Sequence, residues 1–235
     1  MTTTAPPTTA EGTMISLVGS LADNKAALGR AYADWAVSAP TLESAVAAAA
    51  MAQDELGHSR STYPVLKALG VHDAEVDAGR RLAFLDAGLV DWTAFIAANL
   101  LVDGVLTTFV AETTESSLTQ MAQRARKILQ EEGSHQVHAE AWARRLCRSG
   151  DAQRDLFVAR LAEAWEHASR WGGPAGDPGF AAAVDAGLVA HDATHQREQV
   201  RSRVLELFAR EGVSITLPEP VDWTGWDPDR RRWTP

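Results

Sequence analysis

The sequence predicts an all-α protein, a four-helix bundle with additional helices towards the C-terminus. Strong helix formers, chiefly Ala, Leu, Glu, Gln and Arg, dominate the chain. The alternation of β-branched and polar residues that is typical of a half-buried strand is scarce. Clusters of Pro and Gly divide the chain into long uninterrupted segments, which we interpret as six helices.

The first two helices are separated by a short break at Pro40. The first helix is predicted over residues 14–37, because proline cannot continue a helix and disfavours helical backbone in the residue before it. The second is predicted over residues 42–69, with Thr41 as its N-cap and Gly70 as its C-cap.

Two more long helices complete the expected core of the bundle. Residues 71–90 are punctuated by glycines and are expected to form a connection that holds a short helix. A third helix is predicted over residues 91–117 and a fourth over residues 118–147. Four long helices in succession favour a bundle.

The C-terminal third of the chain is predicted to add two helices and an irregular end. The fifth helix covers residues 152–171 and the sixth covers residues 180–210, with a loop rich in Gly and Pro between them. The sequence after Gly212 is rich in Pro and Trp. We therefore expect three regions: a disordered tail over 1–13, a helical domain over 14–212, and an irregular tail over 213–235.

The composition of the chain argues against several classes of protein and of partner. The first residues have neither the basic start nor the apolar core of a secretory signal. Cys147 is the single cysteine, so an internal disulfide is excluded and a reducing cytoplasm is favoured. A net charge of -9 argues against nucleic acid or an anionic membrane as partner. The longest run of small apolar residues, 45–52, is too short for a membrane span.

Two short stretches repeat one pattern, an acid and a glutamate followed by two spacers and a histidine: Asp54-Glu55-Leu56-Gly57-His58 and Glu131-Glu132-Gly133-Ser134-His135. Residues three apart lie on one face of a helix, so each Glu and His can present ligand atoms to one point. Two such helices facing each other supply most of a dinuclear metal site of the ferritin-like type. The pattern therefore predicts a ferritin-like bundle with a metal centre.

Such a site also needs acids from the other two core helices. On the third helix, Asp103 lies in an apolar stretch, where a buried charge requires a partner. A metal would serve, but Asp103 could equally face water or meet an arginine. Glu112 and Glu115 are rival acids on the same helix, among Thr and Ser. The first helix offers Asp23 and Asp34, and neither pairs obviously with Glu55.

Several segments resemble the phenylacetic acid catabolic protein family. The resemblance covers roughly residues 14–147. The segments are Leu21-Ala22-Asp23-Asn24-Lys25, Ala39-Pro40-Thr41-Leu42, Ala52-Gln53-Asp54-Glu55-Leu56-Gly57-His58, Leu101-Val102-Asp103-Gly104 and Glu131-Glu132-Gly133-Ser134-His135-Gln136.

The resemblance implies a fold, a chemistry and a set of ligands. The family contains the catalytic and structural subunits of a bacterial phenylacetyl-coenzyme A epoxidase. Its catalytic subunits hold a di-iron centre in a ferritin-like bundle and epoxidise an aromatic ring carried as a CoA thioester. Carried over by position, the implied metal ligands of this chain are Glu55, His58, Asp103, Glu132 and His135.

Lys25 departs from the pattern of the catalytic subunits. Alignment through Trp35 and Pro40 puts it where they carry the glutamate of the first helix, and we take it as the candidate catalytic residue that decides the chemistry. An ammonium group cannot bind a metal, although a neutral amine could. The positive charge of Lys25 could instead replace one metal ion and form salt bridges with the remaining carboxylates. Three alternatives follow: a dinuclear site with an unusual ligand set, a single metal held by fewer groups, or a metal-free relic. Iron is the expected metal, with manganese as the alternative.

Several other residues could support a site. Asp54 and Glu131 are candidates for orienting histidine N–H groups, or are ordinary surface acids. Tyr32 lies two helical turns from Lys25 and either approaches the site or packs in the core. His191 and His195 form a second pair without a matching motif. The C-terminal tryptophans are expected to anchor the tail, and they are Trp223, Trp226 and Trp233.

The leading functional hypothesis is an oxygenase component, a monooxygenase that acts on an aromatic CoA thioester or a related compound. It would work with a reductase and form a homodimer, or a heterodimer with a related subunit. One alternative is a non-catalytic structural subunit of such a complex. Another is a ferritin-like metal-binding oxidase without an organic substrate.

Overall fold

A computed structural model describes residues 10–72, 74 and 78–235, and it confirms the all-α class and the ferritin-like bundle. Helices α1 (Ala10–Trp35) and α2 (Leu42–Ala68) pack along their lengths. Gly29 permits this approach, because a Cβ atom there would lie 2.8 Å from Cγ of Leu56 and 3.1 Å from the carbonyl oxygen of Ala52. Thr41 caps α2 as predicted, its side chain accepting a hydrogen bond from the backbone N–H of Ser44.

The third core helix is continuous but not uniform. It consists of α3 (Trp92–Ala97), a π-helical segment (Ala98–Asp103) and α4 (Gly104–Glu112). Its 21 residues are long and apolar enough to cross a membrane, yet most of this helix is buried inside the fold. It is the central core helix of the bundle, and its apolar character follows from that position.

Helix α5 (Thr119–Cys147) completes the four-helix core and contacts both α2 and α4. The described residues of the connection between α2 and α3 include two short 3-10 helices, Ala78–Arg80 and Ala83–Leu85. The bundle therefore places both repeated motifs on facing helices, α2 and α5.

The C-terminal region differs from prediction in one respect. Helix α6 (Asp151–Ala168) lies where the fifth helix was expected, but the predicted sixth helix over 180–210 is wrong as a single element. It is divided into α7 (Pro178–Asp185) and α8 (Ala193–Arg210). Gly187 adopts a φ of 67° in the break, a conformation that ends a helix.

The residues after α8 form no further helix and pack against the bundle. Strands β1 (Trp226–Asp227) and β2 (Arg232–Trp233) form a small antiparallel hairpin. Trp233 is buried, and the guanidinium of Arg170 lies 4.1 Å from its ring centre. Of the tail predicted over 1–13, residues 10–13 belong to α1, and the others lie outside the described residues. The proposed division into three regions stays a prediction.

Candidate metal centre

The four core helices bring six ionisable side chains to one point inside the bundle. Each residue is at most 4% exposed to solvent. The cluster consists of Lys25 from α1, Glu55 and His58 from α2, Asp103 from the π-helical segment, and Glu132 and His135 from α5.

Local helix geometry positions the acids and histidines. The spacing of three residues in α2 and α5 puts each Glu and His on one inward face, as the motifs predicted. Asp103 ends the π-helical segment, whose six residues are all buried. A π turn shifts the side chains that follow it and is frequent at functional sites. Thr107, one turn further, donates a long hydrogen bond of 3.4 Å to Oδ1 of Asp103.

Lys25 lies among the three carboxylates and contacts all of them. Its Nζ atom is 3.0 Å from Oε2 of Glu55 and 2.5 Å from Oδ1 of Asp103. It also forms a very short ion pair with Oε1 of Glu132. The three protons of an ammonium group match three acceptors. The cation therefore ties together acids from three different helical elements.

The two histidines point their Nδ1 atoms into the cluster. Nδ1 of His58 is 3.1 Å from Oε1 of Glu132, and Nδ1 of His135 is 3.3 Å from Oε1 of Glu55. Both contacts cross between α2 and α5. Neither Nδ1 atom makes a well-directed hydrogen bond, so these contacts are charge interactions at close range.

The acids that precede the two glutamates hold the outer nitrogens of the histidines. Nε2 of His58 lies 2.7 Å from Oε2 of Glu131 on α5, and Nε2 of His135 lies 3.2 Å from Oδ2 of Asp54 on α2. Each motif thus orients the histidine of the other motif. This arrangement confirms the expected contacts of Asp54 and Glu131 with histidine N–H groups.

The electrostatics of the cluster favour charged forms. Burial alone lowers the pKa of Lys25, but the charges of Asp103, Glu132 and Glu55 outweigh it and raise that pKa well above its ordinary value. Burial likewise opposes ionisation of Glu132, yet Lys25 and the histidines hold its pKa well below the usual range.

Burial and neighbouring charges also shift the pKa values of Asp103 and of the two histidines. Burial, then the charges of Glu132 and Glu55, raise the pKa of Asp103 to about 6. Burial lowers the pKa of both histidines, but their carboxylate neighbours raise it to about 9 in His58 and about 12 in His135. At neutral pH, three cations therefore face three carboxylates and the cluster carries no net charge.

The donor atoms of the cluster suit a metal ion, but Lys25 does not. Ligand atoms of Glu55, Asp103, Glu132 and His135 lie within 4.8 Å of one another, and the inward Nδ1 atoms suit metal ligation. Lys25 does not fit, because its ammonium group occupies the space between the carboxylates and has no lone pair to donate. The centre as described does not fit a dinuclear metal site.

Access to the carboxylates is narrow. A cavity of about 30 Å³ reaches Asp103 and Glu132 between the third core helix, α5 and α8, beside Arg203. This volume holds one or two water molecules, far less than an aromatic ring requires. A wider groove of about 430 Å³ between α2 and α5 reaches the outer side of His58 and is lined by the cations Arg60, Arg124 and Lys127.

The rival acids of the sequence lie outside the cluster. Oδ2 of Asp23 lies 2.5 Å from Nε of Arg80, and Asp34 is exposed. Glu115 forms a surface ion pair with Arg126 at 2.9 Å. Glu112 lies 2.7 Å from Nδ1 of His191, in a second cluster that also contains His195.

Tyr32 is buried near the site. Its ring lies 4.7 Å from that of Phe95, and burial, with the charge of Asp103, raises the pKa of its hydroxyl well above the ordinary value. The sequence did not identify Thr107 or Arg203 as neighbours of Asp103. The spacing of four residues could have indicated Thr107, whereas no local pattern brings Arg203 of α8 to this point.

A family model described as phenylacetic acid catabolic protein matches residues 1–235. The match covers the whole chain and extends the resemblance well beyond residues 14–147. None of the curated proteins compared with the chain matches it.

Proposed function

Because the chain belongs to the phenylacetic acid catabolic protein family, we propose that it serves an oxygenase complex as a metal-free structural subunit. Family membership supports the oxygenase context. The contacts of Lys25 support the structural role, which was the alternative to the leading hypothesis from sequence. In this proposal Lys25 acts as a fixed counter-charge and not as a catalytic group.

The observation that carries the proposal is the position of Lys25 Nζ. It contacts Glu55, Asp103 and Glu132, the three carboxylates that a metal pair would need. A metal ion at this point would have to displace a buried ammonium group and pay the cost of leaving it without partners. The lysine supplies positive charge that metal ions supply in a catalytic relative.

Charge balance explains why both motifs persist without metal. His58 and His135 add two positive charges, so the three cations neutralise the three acids. Loss of any one member leaves an uncompensated buried charge, which is strongly destabilising. A structural subunit thus retains the whole set for stability.

The narrow cavity supports the same proposal. The space beside Asp103 and Glu132 is about 30 Å³, whereas sites for small organic ligands are on the order of several hundred Å³. We infer that an aromatic CoA thioester binds to a related catalytic subunit. This chain would form a heterodimer with that subunit in the cytoplasm, and a reductase would serve the complex.

A specific observation favours a second candidate, a metal-dependent monooxygenase or oxidase. Glu55, Asp103, Glu132 and His135 are close enough to share one ion, and the inward Nδ1 atom of His135 could bind it once that histidine loses its proton. Iron or manganese would suit these donors. For this function Lys25 would have to leave the carboxylates or lose its proton.

The metal content of the purified protein distinguishes the two candidates. We expect the bundle centre to hold far less than one iron per chain in protein from iron-replete cells, also after anaerobic incubation with Fe(II) and desalting. The protein analysed carries His191→Ala and His195→Ala, so that iron bound by these surface histidines is not counted. It should consume no oxygen with a reductant and a phenylacetyl-type CoA thioester. One or two irons per chain in the bundle centre would contradict the structural role.

A further inference from the structure

A second cluster of metal-ligating side chains lies far from Lys25 along the chain, where the end of α4 meets the start of α8. It consists of Glu112, His191 and His195, whose potential ligand atoms lie within 4.8 Å of one another. The two imidazole rings are stacked, with their centres 4.0 Å apart. The sequence had presented the histidine pair and the acid as unrelated candidates.

The acid of this cluster is held in place. The Glu112 side chain is only 8% exposed, and its Oε1 atom accepts a hydrogen bond of 3.1 Å from Nε2 of Gln199. Its Oε2 atom is thereby turned to Nδ1 of His191, at 2.7 Å. A ligand carboxylate that is itself fixed by a hydrogen bond is a common feature of metal sites.

Backbone contacts hold the two segments together. The backbone N–H of Ala190 donates to the carbonyl oxygen of Glu112 at 2.9 Å, and that of Ser117 donates to Gly187 at 2.8 Å. The histidines remain accessible, since the His191 side chain is 53% exposed. The cluster thus combines a fixed acid with two accessible imidazoles.

The surrounding charges are compatible with a cation. The start of α8 carries the positive end of a helix dipole, which disfavours a cation near His195. Two features oppose this effect. The carboxylate of Asp192 caps α8, and Glu112 lies at the negative end of the dipole of α4.

We propose that Glu112, His191 and His195 bind one divalent transition-metal ion of the zinc type. Two imidazoles and one carboxylate, with a water molecule in the fourth position, are an established donor set for Zn²⁺. The ion would join the loop before α8 to the end of α4. It would therefore stabilise the contact between the third core helix and α8.

Calorimetric titration of chelator-treated full-length protein with Zn²⁺ tests this site. We expect wild type to bind one equivalent that a double variant, His191→Ala with His195→Ala, binds at least about tenfold more weakly. Zn²⁺ should also raise the melting temperature of wild type but not that of the double variant. Circular dichroism checks that the double variant is folded.

Matched control variants show whether zinc binding depends on this cluster or on exposed histidines and acids elsewhere on the surface. His72 is an exposed histidine outside the cluster, and Glu115 is the exposed acid nearest in sequence to Glu112. His72→Ala and Glu115→Gln should bind zinc as wild type does, whereas Glu112→Gln should resemble the double variant. A wild type that binds no zinc, or a double variant that binds it unchanged, overturns the proposal.

The test is independent of the bundle centre. An ion held by Glu55, Asp103, Glu132 and His135 would survive the double variant, because none of these residues belongs to the surface cluster. The equivalent that disappears therefore identifies the site. Failure of the zinc site leaves the role of Lys25 unaffected, and the reverse is also true.

Discussion

The Nζ atom of Lys25 lies 2.5 Å from Oδ1 of Asp103, so a cation from α1 meets the acid that ends the π-helical segment. This contact joins two residues that are 78 positions apart in the chain. It sits where a ferritin-like catalytic bundle holds metal. In the proposed function, Lys25 is the central counter-charge of the bundle.

Replacement of Lys25 by methionine should destabilise the fold. The variant keeps much of the side-chain volume but leaves Glu55, Asp103 and Glu132 without their common cation. We expect a loss of about 3–5 kcal/mol in the free energy of unfolding, the usual effect of breaking a buried ion pair. Urea denaturation followed by circular dichroism measures it.

Lys127→Met is the control, because Lys127 is exposed on α5. Its effect should stay within about 0.5 kcal/mol. If Lys25→Met and Lys127→Met changed the stability equally, Lys25 would not be the counter-charge.

Two adjacent glutamates, Glu131 and Glu132, should differ sharply in their contribution to the free energy of unfolding. Glu132 is buried and contacts Lys25, whereas the Glu131 side chain is 41% exposed and contacts only the outer nitrogen of His58 among the cluster residues. We expect Glu132→Gln to cost about 3 kcal/mol or more and Glu131→Gln less than about 1 kcal/mol. Chemical denaturation of the two variants measures the difference, and equal losses would argue against a charge-balanced core.

A half-buried histidine outside the cluster should make stability depend on pH. Burial, with the positive charge of His135, lowers the pKa of His138 to about 4 from its ordinary 6.5. Neither ring nitrogen of His138 has a hydrogen-bond partner among the described residues. Between pH 6.5 and 4 the unfolded chain therefore binds a proton that the folded chain does not.

The stability linked to His138 is present above its unfolded pKa and is lost as the pH falls through this window. Solvent screening of the half-exposed ring reduces the effect, so we expect wild type to lose about 1 kcal/mol more than His138→Gln between pH 7 and pH 5. Parallel slopes for the two proteins in denaturation at several pH values would refute this role.

The contact between α1 and α2 should not tolerate a larger residue at Gly29. The added methyl of Gly29→Ala would lie 2.8 Å from Cγ of Leu56. We expect a loss of about 1–3 kcal/mol from overpacking. Gly133→Ala on α5 is the control, since a Cβ there meets nothing within 4 Å.

Gly133→Ala should stabilise the protein by about 0.5–1 kcal/mol, because alanine favours a helix over glycine. Thermal or urea denaturation of both variants measures these opposite signs. A neutral effect of Gly29→Ala would show that the two helices can separate without cost.

Much of this architecture was predictable because it depends on local rules. The break at Pro40, the cap at Thr41 and the inward pairing of Glu55 with His58 follow from helix geometry and capping alone. The π-helical segment was not predictable. Its backbone is fixed by packing in the core and leaves the apolar pattern of residues 91–117 unchanged.

Contacts between residues that are far apart in the chain could not be predicted from the sequence either. His191 and Glu112 meet because α8 folds back on α4, and no periodicity encodes that contact. The division of the predicted sixth helix depends on Gly187, a single residue that a helix often tolerates. The position of Lys25 was predictable by alignment, but its contacts with all three acids required the packed bundle.

The iron content of Lys25→Glu beside that of wild type tests the central claim most directly. Both proteins, with Lys127→Glu as control, also carry His191→Ala and His195→Ala, so that iron bound by the surface cluster is not counted. They are incubated anaerobically with Fe(II), desalted and analysed by mass spectrometry of the metal. We expect Lys25→Glu to gain about two irons per chain, while wild type and the control stay far below one. Equal iron content in wild type and Lys25→Glu would contradict the claim that Lys25 takes the place of metal.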